Sequence, residues 1–169
     1  PGKINTHDDM DPVIAAQSII KHVDDGIVLA GQYRLPPRIK DFIREHHGTH
    51  ITKYQFNRAL EIAKNNHDKV DLDLFRYSGP KPRSKETALV MLADGCEAKA
   101  RAELPKTRED LVILVKKVFD YCLQEGQFDK TNLTIKDLNI AQESFIKTLT
   151  NTYHPRIQYP ESASSNPSK

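Results

Sequence analysis

The sequence lacks several features that would place it in a class at once. It has no tryptophan, and no apolar run approaches the roughly 20 residues of a transmembrane helix, so neither a span nor a signal peptide is expected. Its only two cysteines, Cys96 and Cys122, form no CxxC pattern, which argues against a disulfide scaffold and favours reduced thiols. A net charge of +2 is too small to indicate binding to a nucleic-acid polymer or a membrane surface.

What remains is a polar chain of 169 residues, which suffices for one domain with a core and a tail. Strand signals are weak, and apolar residues recur every three or four positions, so the sequence predicts a mostly helical fold. Five helix starts are marked by a capping residue or by proline: Asp11-Pro12, Pro36-Pro37, Ser84, Thr107 and Thr134. The first helix is expected to reach Gly31 and the second to end at Gly48. A further helix is expected at about 53–66, a loop at 67–83, and a disordered tail at 161–169.

The stretch "REHHGTH", residues 44–50, holds three of the 7 histidines. His46 and His47 are adjacent and follow the apolar stripe of the second predicted helix. Neighbouring helical residues point about 100° apart, but at a helix end both imidazoles can converge on one ion. Neutral imidazole suits zinc, iron, manganese or nickel. The alternative is an ordinary pair of histidines stabilised by the negative end of the helix dipole.

Three further polar residues lie in unexpected positions. His22 lies inside an apolar helical stripe and is either a hydrogen-bonded core residue or a third imidazole for the pair. Asp94 lies in the middle of the apolar helix "ALVMLADGCEAKA", where an unpaired carboxylate is costly. It therefore needs a cation, either a basic side chain or a metal ion, and the available histidines favour the metal. Arg101, about 10 Å further along the axis, can bind a phosphate or pair with Glu97.

Four segments of the chain together resemble one known family. They are "SIIKHVDDGIVLA", "LPPRIKDFIREHHGTH", "FRYSGPKPRSKETALVMLADGCEAKAR" and "LTIKDLNIAQESFIKTLTNTYHPRIQYP". They closely resemble the cytoplasmic domain of seven-transmembrane receptors with an intracellular HD hydrolase domain, a family that includes cyclic di-AMP phosphodiesterases. The likeness runs from about Asn5 to Pro160. It implies an all-α HD-domain helical bundle over residues 1–160, located in the cytoplasm and carried by a membrane-anchored parent.

The resemblance also implies a two-metal centre of iron or manganese. By position, His22, His46 and His47 would hold one ion, Asp94 would hold the other, and Arg101 would lie near the substrate phosphates. In that family a hydroxide attacks phosphorus in line while two ions stabilise the attacking and leaving oxygens. The substrate would be a cyclic dinucleotide, with cyclic di-AMP expected.

One departure from the family pattern limits these expectations. The family's name-giving His-Asp pair precedes the matched region, and His7-Asp8 is no substitute because "KINTHDDMDP" is polar and turn-like. Since the chain starts at Pro1, it is expected to be a piece of a longer protein with only part of the di-metal centre. Alone it would be a weak phosphodiesterase or, alternatively, an inactive HD-like module that senses a nucleotide. No role is assigned to three histidines: His50, His67 and His154.

Overall fold

The structure, a computed structural model, describes residues 10–153. Within them the chain forms α-helices and two 3-10 turns, and the only β pairing is an isolated antiparallel bridge between Ile51 and Arg76. The helices are α1 (Pro12–Ile20), α2 (His22–Gln32), α3 (Pro37–Glu45), α4 (Lys53–Ile62), α5 (Lys85–Glu103), α6 (Arg108–Gln124) and α7 (Ile135–Tyr153). The 3-10 turns are His67–Lys69 and Leu72–Phe75. The predicted all-α class is confirmed.

Five of the helices, α1, α3, α5, α6 and α7, begin where the capping and proline signals placed them. Asp11 accepts hydrogen bonds from the first N–H groups of α1. Ser84 and Thr107 form capping boxes at the starts of α5 and α6, and Thr134 accepts from the Asp137 N–H at 3.1 Å at the start of α7. Each cap satisfies a backbone donor that has no partner inside the helix, so these residues fix where the helices start.

Three predicted helices differ in extent from the structure. The first is interrupted at Lys21, next to His22, whose Nδ1 lies 2.6 Å from the carbonyl oxygen of Ile19 and competes for that acceptor. The helix expected at 53–66 ends at Ile62, because positive φ angles at residues 64 and 65 do not continue a right-handed helix. The second helix ends at Glu45, and Gly48, with φ +51°, closes the turn that follows.

The main core lies between α5, α6 and α7. α5 also contacts α3, α2 packs on α3, and α1 packs on α4. Cys96 and Cys122 lie buried in this core as free thiols, and burial raises the pKa of each to about 12. α5 therefore connects the core to the helix that carries the histidine pair.

None of the helices within residues 10–153 is long and apolar enough to cross a membrane. The His7-Asp8 pair, His154 and the predicted tail at 161–169 lie outside the described residues. The domain limits of 1–160 extend beyond the described part of the chain as well and stay a prediction.

Candidate metal centre

The structure brings together the three histidines that the sequence analysis selected. His22 begins α2, while His46 and His47 directly follow α3. One potential ligand atom from each ring lies within 4.8 Å of the other two. The Nε2 atoms of His22 and His46 are 3.2 Å apart, and the ring centroids of His46 and His47 are 4.0 Å apart. Segments 24 residues apart thus contribute to one imidazole cluster.

The hydrogen bonds of two of these rings assign their tautomers. Nδ1 of His22 lies 2.6 Å from the Ile19 carbonyl oxygen, and Nδ1 of His46 lies 2.8 Å from that of Ile43. Because a carbonyl oxygen only accepts, each Nδ1 carries the hydrogen, and in neutral rings both Nε2 atoms present lone pairs. Two lone pairs facing each other at 3.2 Å repel unless a proton or cation lies between them. A backbone carbonyl on the far nitrogen is also how metal-ligating histidines are usually oriented. The donor set therefore fits a metal ion.

His47 is held against an aromatic ring. Its imidazole stacks on Tyr77 with centroids 4.3 Å apart and planes inclined by 21°. Burial, together with the nearby His46 and His22, lowers the pKa of His47 to about 3. The ring is therefore neutral near pH 7, as a metal ligand must be. This disfavours the alternative of a charged pair stabilised by the end of a helix.

Asp94 lies beside the imidazole cluster, but its side chain is more exposed to solvent than the sequence predicted. Its Oδ2 is 3.9 Å from Nδ1 of His47, outside the set of three mutually close ligand atoms. Its side chain is 47% exposed, so the expectation of a carboxylate enclosed by apolar side chains was wrong. Leu92 and Cys96 of this helix face the core, whereas Asp94 lines an open cavity together with Met91. Its position, rather than a cost of burial, now supports a metal-binding role.

Arg101 does not line that cavity. Its Nη2 lies 3.5 Å from Oε2 of Glu97, four residues earlier on α5, and its side chain is 71% exposed. An exposed pair of this kind contributes little free energy and does not fix the guanidinium in place. Contact between Arg101 and a substrate phosphate stays a prediction.

The turn that carries the histidine pair is held by a residue from a distant segment. Gln127 is fully buried, and its Oε1 accepts from the Thr49 N–H at 3.1 Å while its Nε2 donates to Thr49 Oγ1 at 3.0 Å. Arg76 donates from Nη1 to the Thr49 carbonyl oxygen at 2.8 Å. These bonds fix the backbone immediately after Gly48. They could not be inferred from local pattern, since Thr49 and Gln127 are 78 residues apart.

We expect Gly48→Ala to destabilise the fold by about 2 kcal/mol and to weaken metal binding. Gly48 has φ +51°, and an added Cβ would overlap Oε1 of Gln127 and lie 2.7 Å from Cε of Met91. Denaturant unfolding measures the effect. Gly31→Ala is the matched control, because that helical glycine has nothing within 4 Å of an added Cβ. Equal stability of the two variants would contradict the prediction.

A cavity of about 740 Å³ extends from the histidines, within the usual size range of small-molecule sites. His46, His47 and Asp94 line one part, and the start of α4 and a face of α6 line another. His50, to which the sequence assigned no role, also lines it and stacks on Tyr121 with centroids 5.0 Å apart. Burial and the nearby Arg76 lower the pKa of His50 to about 4.

Tyr77 is a second residue that the sequence analysis did not single out. It lies within the quoted segment "FRYSGPKPRSK", and its backbone N–H donates to the His50 carbonyl oxygen at 2.9 Å. Burial, together with Asp94, raises the pKa of the Tyr77 phenol to about 12, so the ring is neutral. The presence of an aromatic residue in this segment was the only hint in the sequence that Tyr77 could belong to the site. Its stacking on His47 depends on a contact between distant parts of the chain, which the local pattern does not predict.

The described residues thus form a helical bundle in which three imidazoles converge and could hold a metal ion, and two of the three line the cavity. No family model matches the chain. Over 157 residues the chain is 36% identical to cyclic-di-AMP phosphodiesterase PgpH of Bacillus subtilis strain 168, an alignment that covers 93% of the chain and 22% of that protein. It is 34% identical over 158 residues to PgpH of Listeria monocytogenes, covering 94% of the chain and 21% of that protein.

The solved structures give the same relationship. The crystal structure of the L. monocytogenes PgpH HD domain in complex with cyclic-di-AMP matches with a TM-score of 0.82 and 32% identity, over 92% of this chain and 71% of that one. The chain therefore belongs to the family of PgpH-type HD domains. It spans about a fifth of the length of the curated relatives it matches.

Proposed function

We propose that this chain is part of a metal-dependent phosphodiesterase that hydrolyses a cyclic dinucleotide, with cyclic di-AMP as the substrate. The observation that carries the proposal is the pair of facing Nε2 atoms of His22 and His46 beside a cavity of about 740 Å³. The similarity to PgpH proteins supports the substrate class. In the proposal, the domain lies in the cytoplasm and its parent is anchored in a membrane.

His22, His46 and His47 would hold one divalent ion, and Asp94 would bind a second, with iron or manganese as the metals. Such ions, when bound, act as Lewis acids on phosphoryl oxygens and activate water near neutral pH. The remaining ligands of the second ion would come from outside the described residues. Within residues 10–153, the three histidines are the one group of three or more candidate ligands with all ligand atoms close together.

The chain's own residues prepare this site for substrate. The bonds from Nδ1 of His22 and His46 to backbone carbonyls orient both rings in advance, so less ordering is needed on binding. Tyr77 covers one face of His47 and keeps water from that side of the ring. Asp94, with half of its side chain exposed, can reach a ligand in the cavity without unfolding of α5.

Hydrolysis of cyclic di-AMP by two forms of the protein tests the proposal. One form is this chain, and the other is extended upstream to include the family's His-Asp pair; both are assayed with added Mn²⁺ or Fe²⁺. We expect weak turnover by the chain and full turnover by the longer form. Full turnover by the chain alone would overturn the proposal that the di-metal centre needs ligands from the upstream His-Asp pair. Binding of cyclic di-AMP without hydrolysis by either form would favour the alternative, a module that senses the nucleotide.

A further inference from the structure

The cavity has a second polar region besides its histidine end. Residues 50–55, which lead into α4, line it together with Lys117 and Tyr121 of α6. His50 and Tyr121 stack on each other, and Nζ of Lys53 lies 5.2 Å from the centroid of the Tyr121 ring. The contacts of His50 and Lys53 with Tyr121 thus join the two sides of the wall.

Thr52 precedes α4 but does not cap the helix with its side chain. The hydroxyl of Thr52, the residue in the capping position, instead donates to the carbonyl oxygen of Phe75 at 3.2 Å. The first turn contains no acidic residue. The positive end of the α4 helix dipole therefore lies in the wall of the cavity.

A buried side chain beside this helix start lacks a partner. Gln55 is only 7% exposed and lines the cavity, and no residue within 10–153 forms a hydrogen bond with its amide. Nε2 of His50, in the same wall, is the one fully buried side-chain polar atom without a partner in the described part of the chain. Burying a polar atom without a partner costs free energy, and both this atom and the Gln55 amide are therefore open to a ligand that bonds to them.

Two lysines add positive charge at this place. Lys117 lies one helical turn before Tyr121 and so shares its face of α6. In the described chain no carboxylate lies within 4.0 Å of Nζ of Lys53 or Lys117, whereas Lys99, in the same cavity, pairs with Glu103 at 2.6 Å. Both lysines are therefore available to an anionic ligand.

We propose that Lys53, Lys117 and Gln55, together with the positive end of the α4 dipole, bind the second phosphate of a cyclic dinucleotide. The inference rests on the proposed function, in which the first phosphate lies at the histidine end of the cavity. A cyclic dinucleotide carries two phosphodiester groups, and binding one at the metal centre leaves the other charge to be compensated elsewhere. A mononucleotide has no second phosphate, so this region would select the cyclic dinucleotide.

Titration calorimetry of the chain with cyclic di-AMP and with AMP, in Mn²⁺ buffer, tests this assignment. The variant is Lys53→Met with Lys117→Met. We expect its Kd for cyclic di-AMP to rise about tenfold, as for the loss of one charge-assisted hydrogen bond, and its Kd for AMP to change less than about twofold. The matched control, Lys116→Met with Lys147→Met, removes the same charge from exposed positions that do not line the cavity, and should bind both ligands like the wild type.

The outcomes separate this inference from the function on which it rests. The second-phosphate site would be overturned if the lysine variant bound both nucleotides equally more weakly, or if the control variant lost as much affinity for cyclic di-AMP as the lysine variant does. Either result would leave the proposed function in place. Wild-type protein that binds neither nucleotide would overturn both. Gln55→Leu tests the site without a change in charge. Weaker binding of cyclic di-AMP by this variant, with the Kd for AMP nearly unchanged, would support the site.

Discussion

The His46→Ala, His47→Ala double variant is expected to bind a divalent metal ion more than about 100-fold more weakly than the wild type. Removing a group that only orients a ligand already costs about 10- to 100-fold in metal affinity, and this variant removes two ligands of three. The remaining His22 would offer a single Nε2 atom, whose facing partner in the structure is Nε2 of His46. Elemental analysis of the purified proteins and titration with Mn²⁺ measure the loss.

His67→Ala is the control for this variant, because His67 is exposed on a 3-10 turn and lies outside the imidazole cluster. We expect it to retain metal like the wild type. Circular dichroism should show the double variant to be folded, since neither of its histidines belongs to the main core. A folded double variant with near-stoichiometric metal would show that the ion lies elsewhere. A wild-type chain without metal would show that three imidazoles do not suffice.

Local signals in the sequence accounted for most of the helices. Caps at Asp11, Ser84, Thr107 and Thr134 act through hydrogen bonds within a few residues, so the sequence alone places them. The ends of helices were less predictable. The positive φ angles fall on Lys64 and Asn65; asparagine adopts this conformation readily, but lysine gives no such signal in the local pattern.

The sequence predicted which residues form the candidate site, but it predicted their structural environment only in part. The apolar stripes of the helices led to the expectation that His22 could meet His46 and His47, and the structure places them together. The environment of Asp94 was misjudged, because apolar neighbours in sequence do not reveal which face of a helix opens to a cavity. Contacts such as that of Gln127 with Thr49 depend on the packing of distant segments.

Glu45→Gln is expected to lower the free energy of unfolding by about 3 kcal/mol at pH 7. Glu45 is 1% exposed at the end of α3, directly before the histidine pair. Its Oε1 accepts from Nε of Arg83 at 2.7 Å, and its Oε2 accepts from the backbone N–H of Arg83 at 2.9 Å. An amide in this position directs its own N–H groups at one of these donors, so a buried hydrogen bond is lost. Urea unfolding measures the change.

The pH dependence of this effect identifies its electrostatic part. Burial alone would raise the pKa of Glu45, but hydrogen bonds from Thr87 and Arg83 and the charge of Arg83 outweigh it and lower the pKa below the ordinary value of 4.5. The stabilisation is therefore fully present above pH 4.5 and is lost as the pH falls through the lowered value.

The difference in stability between wild type and Glu45→Gln should accordingly narrow in urea series taken from pH 7 down to pH 3. Glu97→Gln is the control, because within residues 10–153 its half-exposed carboxylate pairs only with the exposed Arg101, and its free energy of unfolding should lie within about 0.5 kcal/mol of the wild-type value. A difference that stays constant over this pH range would mean that Glu45 acts through shape and packing. A narrowing difference would mean that an ionised carboxylate anchors the loop before α5 to the turn that carries His46 and His47.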